Sequence, residues 1–165
     1  AAAAAGGDGD GGEEDEEEYD VRAWLDAAKG GDLAAMAAAL RHEPSFLDER
    51  GGGIGHSALH WAAARGHVRA LDWLLSKGAA AGLKNQSGST PLHAAATNGQ
   101  LTCAARLAKH GGPPLVATLD ADAQTAAQLA TLRGHHDIAQ LLAAPATTVP
   151  ATTAPAATTS PAAPT

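Results

Sequence analysis

Apolar residues recur along this chain in short runs spaced as on one face of a helix. Val68, Leu71, Leu74 and Leu75 form one run, Leu101, Ala104, Leu107 and Ala108 a second, and Ile138, Leu141 and Leu142 a third. Each predicts a short helix with a single buried face. Before each run lies a stretch of small residues ending in glycine: Ala62-Ala63-Ala64-Arg65-Gly66, Ala94-Ala95-Ala96-Thr97-Asn98-Gly99, and Leu129-Ala130 ahead of Gly134. Alanine lets neighbouring helices approach closely, and glycine takes the left-handed conformation that closes a helix. The pattern therefore predicts pairs of helices, a slim first one and a bulkier second one.

The pairs open alike. Ser57-Ala58-Leu59-His60 and Thr90-Pro91-Leu92-His93 stand 33 residues apart. Thr90 suits an N-cap, and Pro91 suits the first helical position, where its missing N–H costs little. The second helix of this unit is expected from Leu101 to about Lys109, ending at His110-Gly111. Gly78 to Ser89 form a hairpin-like connection between units. Thr125 caps a further unit 35 residues after Thr90, and the two extra residues are assigned to a loop at Gly112-Pro113-Pro114. A first unit is recognisable because Ala27-Ala28-Lys29-Gly30-Gly31-Asp32-Leu33 aligns with Ala62 to Val68. There Trp24 stands where the others have leucine, Met36 and Leu40 continue the second helix, and Pro44 to Asp48 lead to a glycine-rich loop at 51–55. A fixed period of this length is the mark of a stacked helical repeat.

The period and the Thr90-Pro91-Leu92-His93 string closely resemble the ankyrin repeat. The resemblance implies an all-α solenoid of about four helix-turn-helix units with short hairpin-like loops, at about 22–56, 57–89, 90–124 and 125–143. It further implies a concave face of hairpin tips and first helices that grips other proteins. The contact positions it transfers are Ile54, His56, Ala64 and Arg65, then Gln86, Ser87, Ser89, Thr97 and Asn98, then Asp122, Gln124, Leu132 and Arg133. Trp61 is either packed against the next unit or the aromatic anchor of that face. Departures from the family pattern are Ala80 and Gly82, where its hairpin carries Asp and Asn, so those turn bonds are expected to be lost. Gln128 replaces the family's histidine in the last unit.

Composition changes the picture at both ends. Nine of the 18 acidic residues lie in residues 1–20, including Glu13-Glu14-Asp15-Glu16-Glu17-Glu18, whereas all 11 Lys and Arg lie between Arg22 and Arg133. The formal charge of −7 is thus a property of the N-terminus, since residues 21–165 hold 11 basic and nine acidic residues. Residues 1–20 and the Ala/Thr/Pro-rich 144–165 are expected to be disordered tails around a domain at 21–143. No basic stripe suggests nucleic acid, and no stretch approaches the roughly 20 apolar residues of a membrane span. The single cysteine, Cys103, forms no internal disulfide and fits a reducing, intracellular setting, cytoplasmic or nuclear. The first residue is alanine, so the chain is either processed or a piece of a larger protein.

Catalytic chemistry is not signalled. His60 and His93 occupy the position that ties adjacent loops together, and His67 and His135 follow the helix-closing glycines. His135-His136 with Asp137 do not converge as metal ligands would. Cys103 reads as a small buried hydrophobe. Gly51-Gly52-Gly53-Ile54-Gly55 lacks the Lys-Ser/Thr of a phosphate loop. Trp24, Trp73 and Phe46 are expected to bury much of a thin, alanine-rich core. The expectation is a monomeric, non-catalytic module without cofactor or metal that binds a protein or peptide. The rivals are a substrate-positioning segment of a larger enzyme, such as a ligase or acyltransferase, and a structural subunit capping an assembly.

Overall fold

The structure is a computed structural model, and it describes residues 20–143. The expected tails lie outside the described residues, except for Asp20, which stands at the N-cap of the first helix. Eight helices follow among the described residues: α1 Val21–Gly30, α2 Leu33–His42, α3 Ala58–Arg65, α4 Val68–Ser76, α5 Pro91–Thr97, α6 Leu101–Val116, α7 Ala126–Leu132 and α8 His136–Ala143. A single 3-10 turn spans Pro44–Asp48. The helices form four pairs. α1, α3, α5 and α7 pack side by side in a front row, with their partners behind them.

Small residues set the shape of this stack. Ala58, Ala62, Ala63, Ala95, Ala96, Ala126 and Ala130 are buried in the front row. The second row presents Leu71, Leu74, Leu107, Ile138 and Leu142 to the core. Methyl groups hold helix axes closer together than leucines do, so the stack bends with the front row on the inside. The largest fully buried side chains include Trp24, Met36, Leu59 and Leu92. Trp73 does not join them. It is half-buried in a shallow groove opposite Ala34 and Ala37 of α2, whose methyl groups are too short to cover it. Lys77 Nζ lies 5.7 Å from the Trp73 ring.

One contact recurs from pair to pair. Each glycine closing a first helix lies under the residue that opens the second helix of the next pair. His67 covers Gly31, Gln100 covers Gly66, and His135 covers Gly99. Gly66 and Gly99 have φ of 78° and 73°, a conformation open to few other residues. The absent side chain makes room for the covering one. His67 also donates from Nε2 to the Lys29 carbonyl at 2.8 Å, which fixes the second pair to the first.

Two expectations about connections need correction. α6 does not stop at His110-Gly111. The helix breaks at Gly112 (φ 62°, ψ −164°), and Pro113-Pro114 start one more turn, reaching Val116. Proline is well suited to a first turn, so the two extra residues extend helical structure where a loop was expected. Leu115 of this turn is buried and packs directly on Gly111. The connection after α4 also keeps side-chain hydrogen bonds despite Ala80 and Gly82. Asp48 Oδ1, from the preceding unit, accepts from Ala80 N at 2.9 Å. Asn85 supplies the remainder.

Candidate functional site

The hairpin tips are built by short polar side chains. Asn85 Oδ1 accepts from both Ser87 N and Ser89 N at 2.9 Å. One unit later, Asp120 Oδ1 accepts from Asp122 N and Gln124 N, also at 2.9 Å. These bonds replace solvent on backbone groups that a tight turn would otherwise leave unpaired. In the first tip Gly51 N donates to His56 O at 3.0 Å, across one residue more than in the other two, and no side chain bridges the turn. Adjacent tips are linked by Gln86 N to Ile54 O at 3.1 Å and Ala121 N to Ser87 O at 3.0 Å.

Buried histidines hold these tips from behind. His60 Nδ1 accepts from Ser57 Oγ at 2.9 Å, which leaves Nε2 protonated to donate to Ser89 O at 2.9 Å. His93 repeats the arrangement with Thr90 Oγ1 at 2.8 Å and Gln124 O at 3.1 Å. Burial disfavours the imidazolium in both, and it pushes His60 down to about 4. Gln128 takes over part of the role in the last unit, its Oε1 accepting from Thr125 N at 2.8 Å.

Three of the sequence-predicted contact residues converge. Ile54, His56 and Trp61 line a cleft of about 550 Å³ between the first tip and α1. Arg22, Leu25, Asp26 and Lys29 of α1, together with Glu49 to Gly52, complete its walls. Lys29 Nζ sits 4.7 Å from the centroid of the half-buried Trp61 ring and 2.7 Å from Asp26 Oδ1. That bond and the charge of Lys29 hold the Asp26 carboxyl below its ordinary value. The His56 ring lies 5.0 Å from Trp61 and 5.2 Å, edge on, from His60. Burial pushes the His56 pKa down. Trp61 thus leans back on α1, because Lys29 and Asp26 are the groups within its reach. The expected packing against the next unit is not what the structure has.

The other predicted residues are strung along the tips and first helices and share no pocket with these three. Arg65, Gln86, Ser87, Asn98, Asp122 and Arg133 are exposed, and Leu132 is 69% exposed. Ser89 and Gln124 are half-buried, with their carbonyls committed to His60 and His93. Thr97 Oγ1 and Asn98 Nδ2 donate back to His93 O and Ala94 O, each at 2.8 Å. The α1 wall of the cleft was missed in the sequence. Arg22, Asp26 and Lys29 fall at i, i+4 and i+7, so a helical-face reading of the first unit would have grouped them.

The cleft mixes three cations with carboxylates of Asp20, Asp26 and Glu49, so it favours a polar ligand of mixed character over a purely anionic or cationic one. Cys103 is buried and its thiol is pushed up to about 11, chiefly by burial. Among the described residues no group of three or more His, Cys, Asp or Glu is placed to hold a metal ion, and no helix is long and apolar enough to cross a membrane.

Comparison with known proteins agrees with this architecture. The family model described as ankyrin repeats (3 copies) matches residues 24–114 and 59–152. The chain is 31% identical over 112 residues, 68% of its length, to the putative E3 ubiquitin-protein ligase XBAT31 of Arabidopsis thaliana. It is 32% identical over 126 residues, 76% of its length, to the probable E3 ubiquitin-protein ligase XBOS31 of Oryza sativa subsp. japonica. A shorter stretch of 72 residues, 44% of the chain, is 46% identical to the Espin-like protein of Homo sapiens. The matches span 24%, 27% and 7% of these three proteins, so each relative is much longer than the matched region. The chain belongs to the ankyrin-repeat family, whose repeats serve as protein–protein interaction modules.

Proposed function

We propose that the chain is a non-catalytic adaptor that binds a protein or peptide along its front face, with the Trp61 cleft as the anchor point. The observation that carries this reading is the meeting of Ile54, His56 and Trp61 in one cleft at the end of a row of exposed polar tips. A half-buried aromatic beside water-excluding neighbours is the kind of residue that dominates binding energy, whereas exposed tips supply register and selectivity. The hydrogen-bonded tips are already ordered, so binding costs little conformational entropy. In this reading the chain acts as a monomer inside the cell, in the cytoplasm or nucleus.

A second reading is favoured by the relatives named as E3 ubiquitin-protein ligases, of which the matched region is about a quarter. There the same face would present a substrate to a catalytic domain elsewhere in a longer polypeptide. Both readings share one test. Full-length chain, Trp61→Ala, and the combination Arg65→Ala, Asn98→Ala and Arg133→Ala are used as bait in lysate, after circular dichroism shows equal helicity. A partner kept by the parent and lost from Trp61→Ala supports the anchor. Equal recovery on all three baits overturns front-face binding. A catalytic domain in the same open reading frame decides for the second reading.

A further inference from the structure

Charge is divided unevenly between the two faces of the stack. The second helices α2, α4 and α6 carry Arg41, Arg69, Lys77, Arg106 and Lys109 against one carboxylate, Asp72. That carboxylate is engaged, with Asp72 Oδ2 3.5 Å from Arg106 Nη1. The other acids near this face are also committed: Asp32 accepts from Ala34 N and Ala35 N, Glu43 from Ser45, and Asp48 from Ala80. Between α2 and α4 the back face opens into a groove of about 370 Å³. Ala34, Ala37, Leu40 and Trp73 line it, with Arg41 and Lys77 as its only charged groups. At i−4 and i+4 from Trp73, Arg69 and Lys77 extend a cationic stripe along α4.

We propose that this groove docks the chain's own acidic N-terminal segment, Glu13 to Glu18. Residues 1–19 hold eight carboxylates and no Lys or Arg, the complement of the α2/α4 face. The two helices of a pair run antiparallel, so the start of α1 and the end of α2, where Arg41 stands, lie at the same end of the stack. Packed helix axes are about 10 Å apart, and six extended residues reach about 20 Å. The segment therefore spans from Asp20 to Arg41 and Lys77 with length to spare. Tethering gives it a high effective concentration, which lets individually weak exposed ion pairs act together. Docking on the back face leaves the front face open and withholds the Trp73 groove from acidic segments of other proteins.

The test compares the full chain with a variant in which residues 13–18 carry Gln or Asn in place of each acid. Backbone amide shifts are recorded by NMR at low salt and in 0.5 M NaCl, about 0.5 M being enough to screen exposed pairs. The expected result is that neutralising the run moves the amides of Arg41, Trp73 and Lys77 and leaves α7 and α8 unmoved. High salt should bring the parent to the variant's positions. A synthetic peptide of residues 1–19 added to the variant should restore the parent shifts, and Arg41→Glu with Lys77→Glu should weaken that peptide about tenfold. Arg41→Gln with Lys77→Gln provides a milder check should charge reversal disturb the fold. Unchanged groove amides overturn the proposal, as do changes confined to Arg22 and Arg50 on the front cleft. Peptide binding that survives both double substitutions also overturns it.

Discussion

His60 donates from Nε2 to the carbonyl of Ser89, 2.9 Å away and 29 residues further along the chain, while its Nδ1 accepts from Ser57. A single neutral imidazole thus caps its own helix and holds the next tip. A second proton on Nδ1 would remove the acceptor that Ser57 uses, in a site that burial already makes hostile to charge.

Acid should therefore loosen the stack well above the range in which carboxylates titrate. The folded-state pKa of His60 is pushed from 6.5 to about 4, and that of His93 is lowered too. With the folded value below the unfolded one, the stabilising share is fully present above about pH 6.5 and is lost as pH falls toward about 4. For His60 alone the loss is about 3 kcal/mol. Urea unfolding at a series of pH values should show this decline between about pH 6.5 and 4. Replacing both residues by glutamine, the residue that caps Thr125 as Gln128, should flatten it. A decline equally steep in the double variant would place the titrating groups elsewhere.

Gly99 and His135 should be energetically coupled. Gly99 has φ 73°, and a Cβ there would lie 2.7 Å from His135 Cε1. Gly99→Ala is expected to destabilise by about 2–3 kcal/mol, combining left-handed strain with the clash. His135→Ala in the same chain should relieve the clash and leave about 1 kcal/mol of backbone strain. A double-mutant cycle by chemical denaturation reads the difference directly, and strict additivity would exclude the contact.

Much of the scaffold was legible because each unit writes the same local chemistry: a cap, a slim helix, a closing glycine, a bulkier helix. Those choices act over a few residues, so Ser57, Thr90 and Thr125 could be placed by spacing alone. What spacing could not show was cross-unit geometry. Trp73 is as apolar as Trp24, yet it faces alanines of α2 while Trp24 enters the core. Asn85 and Asp120 stand three to seven residues past the missing hairpin Asp and Asn, and they organise the tips by bonds to main chain that a pattern of side chains does not reveal. The cleft was half visible. Ile54, His56 and Trp61 came from repeat alignment, but its α1 wall belongs to the most divergent unit. The turn at Pro113–Val116 was hidden because two prolines read as a loop and also open a helix well.

Cys103 should be nearly inert in the folded chain. It is 1% exposed, and its thiol is raised from 9.0 to about 11, first by burial and then by Asp72. Two units fewer thiolate implies alkylation about 100-fold slower than an unstructured cysteine at the same pH, before steric shielding is counted. Iodoacetamide labelling followed by mass spectrometry should show that slowing and its loss in urea. Rapid labelling of the native chain would mean that α6 opens around the residue.

Trp24 is fully buried, and its indole Nε1 has no hydrogen-bond partner. It stands where the next two units have Leu59 and Leu92. Its bulk fills the end of the core, but an orphaned buried donor costs about 1–3 kcal/mol. Trp24→Phe removes that donor and loses some volume, two effects of opposite sign and similar size. Its unfolding free energy should stay within about 1 kcal/mol of the parent, whereas Trp24→Ala should lose about 3–5 kcal/mol. The loss should concentrate in the first unit, because each unit of such a stack leans mainly on its neighbours. Hydrogen exchange should therefore show α1 and α2 opening in Trp24→Ala while α5 to α8 keep their protection. Should Phe prove as damaging as Ala, the indole would have to be making a bond that the buried nitrogen's surroundings do not provide.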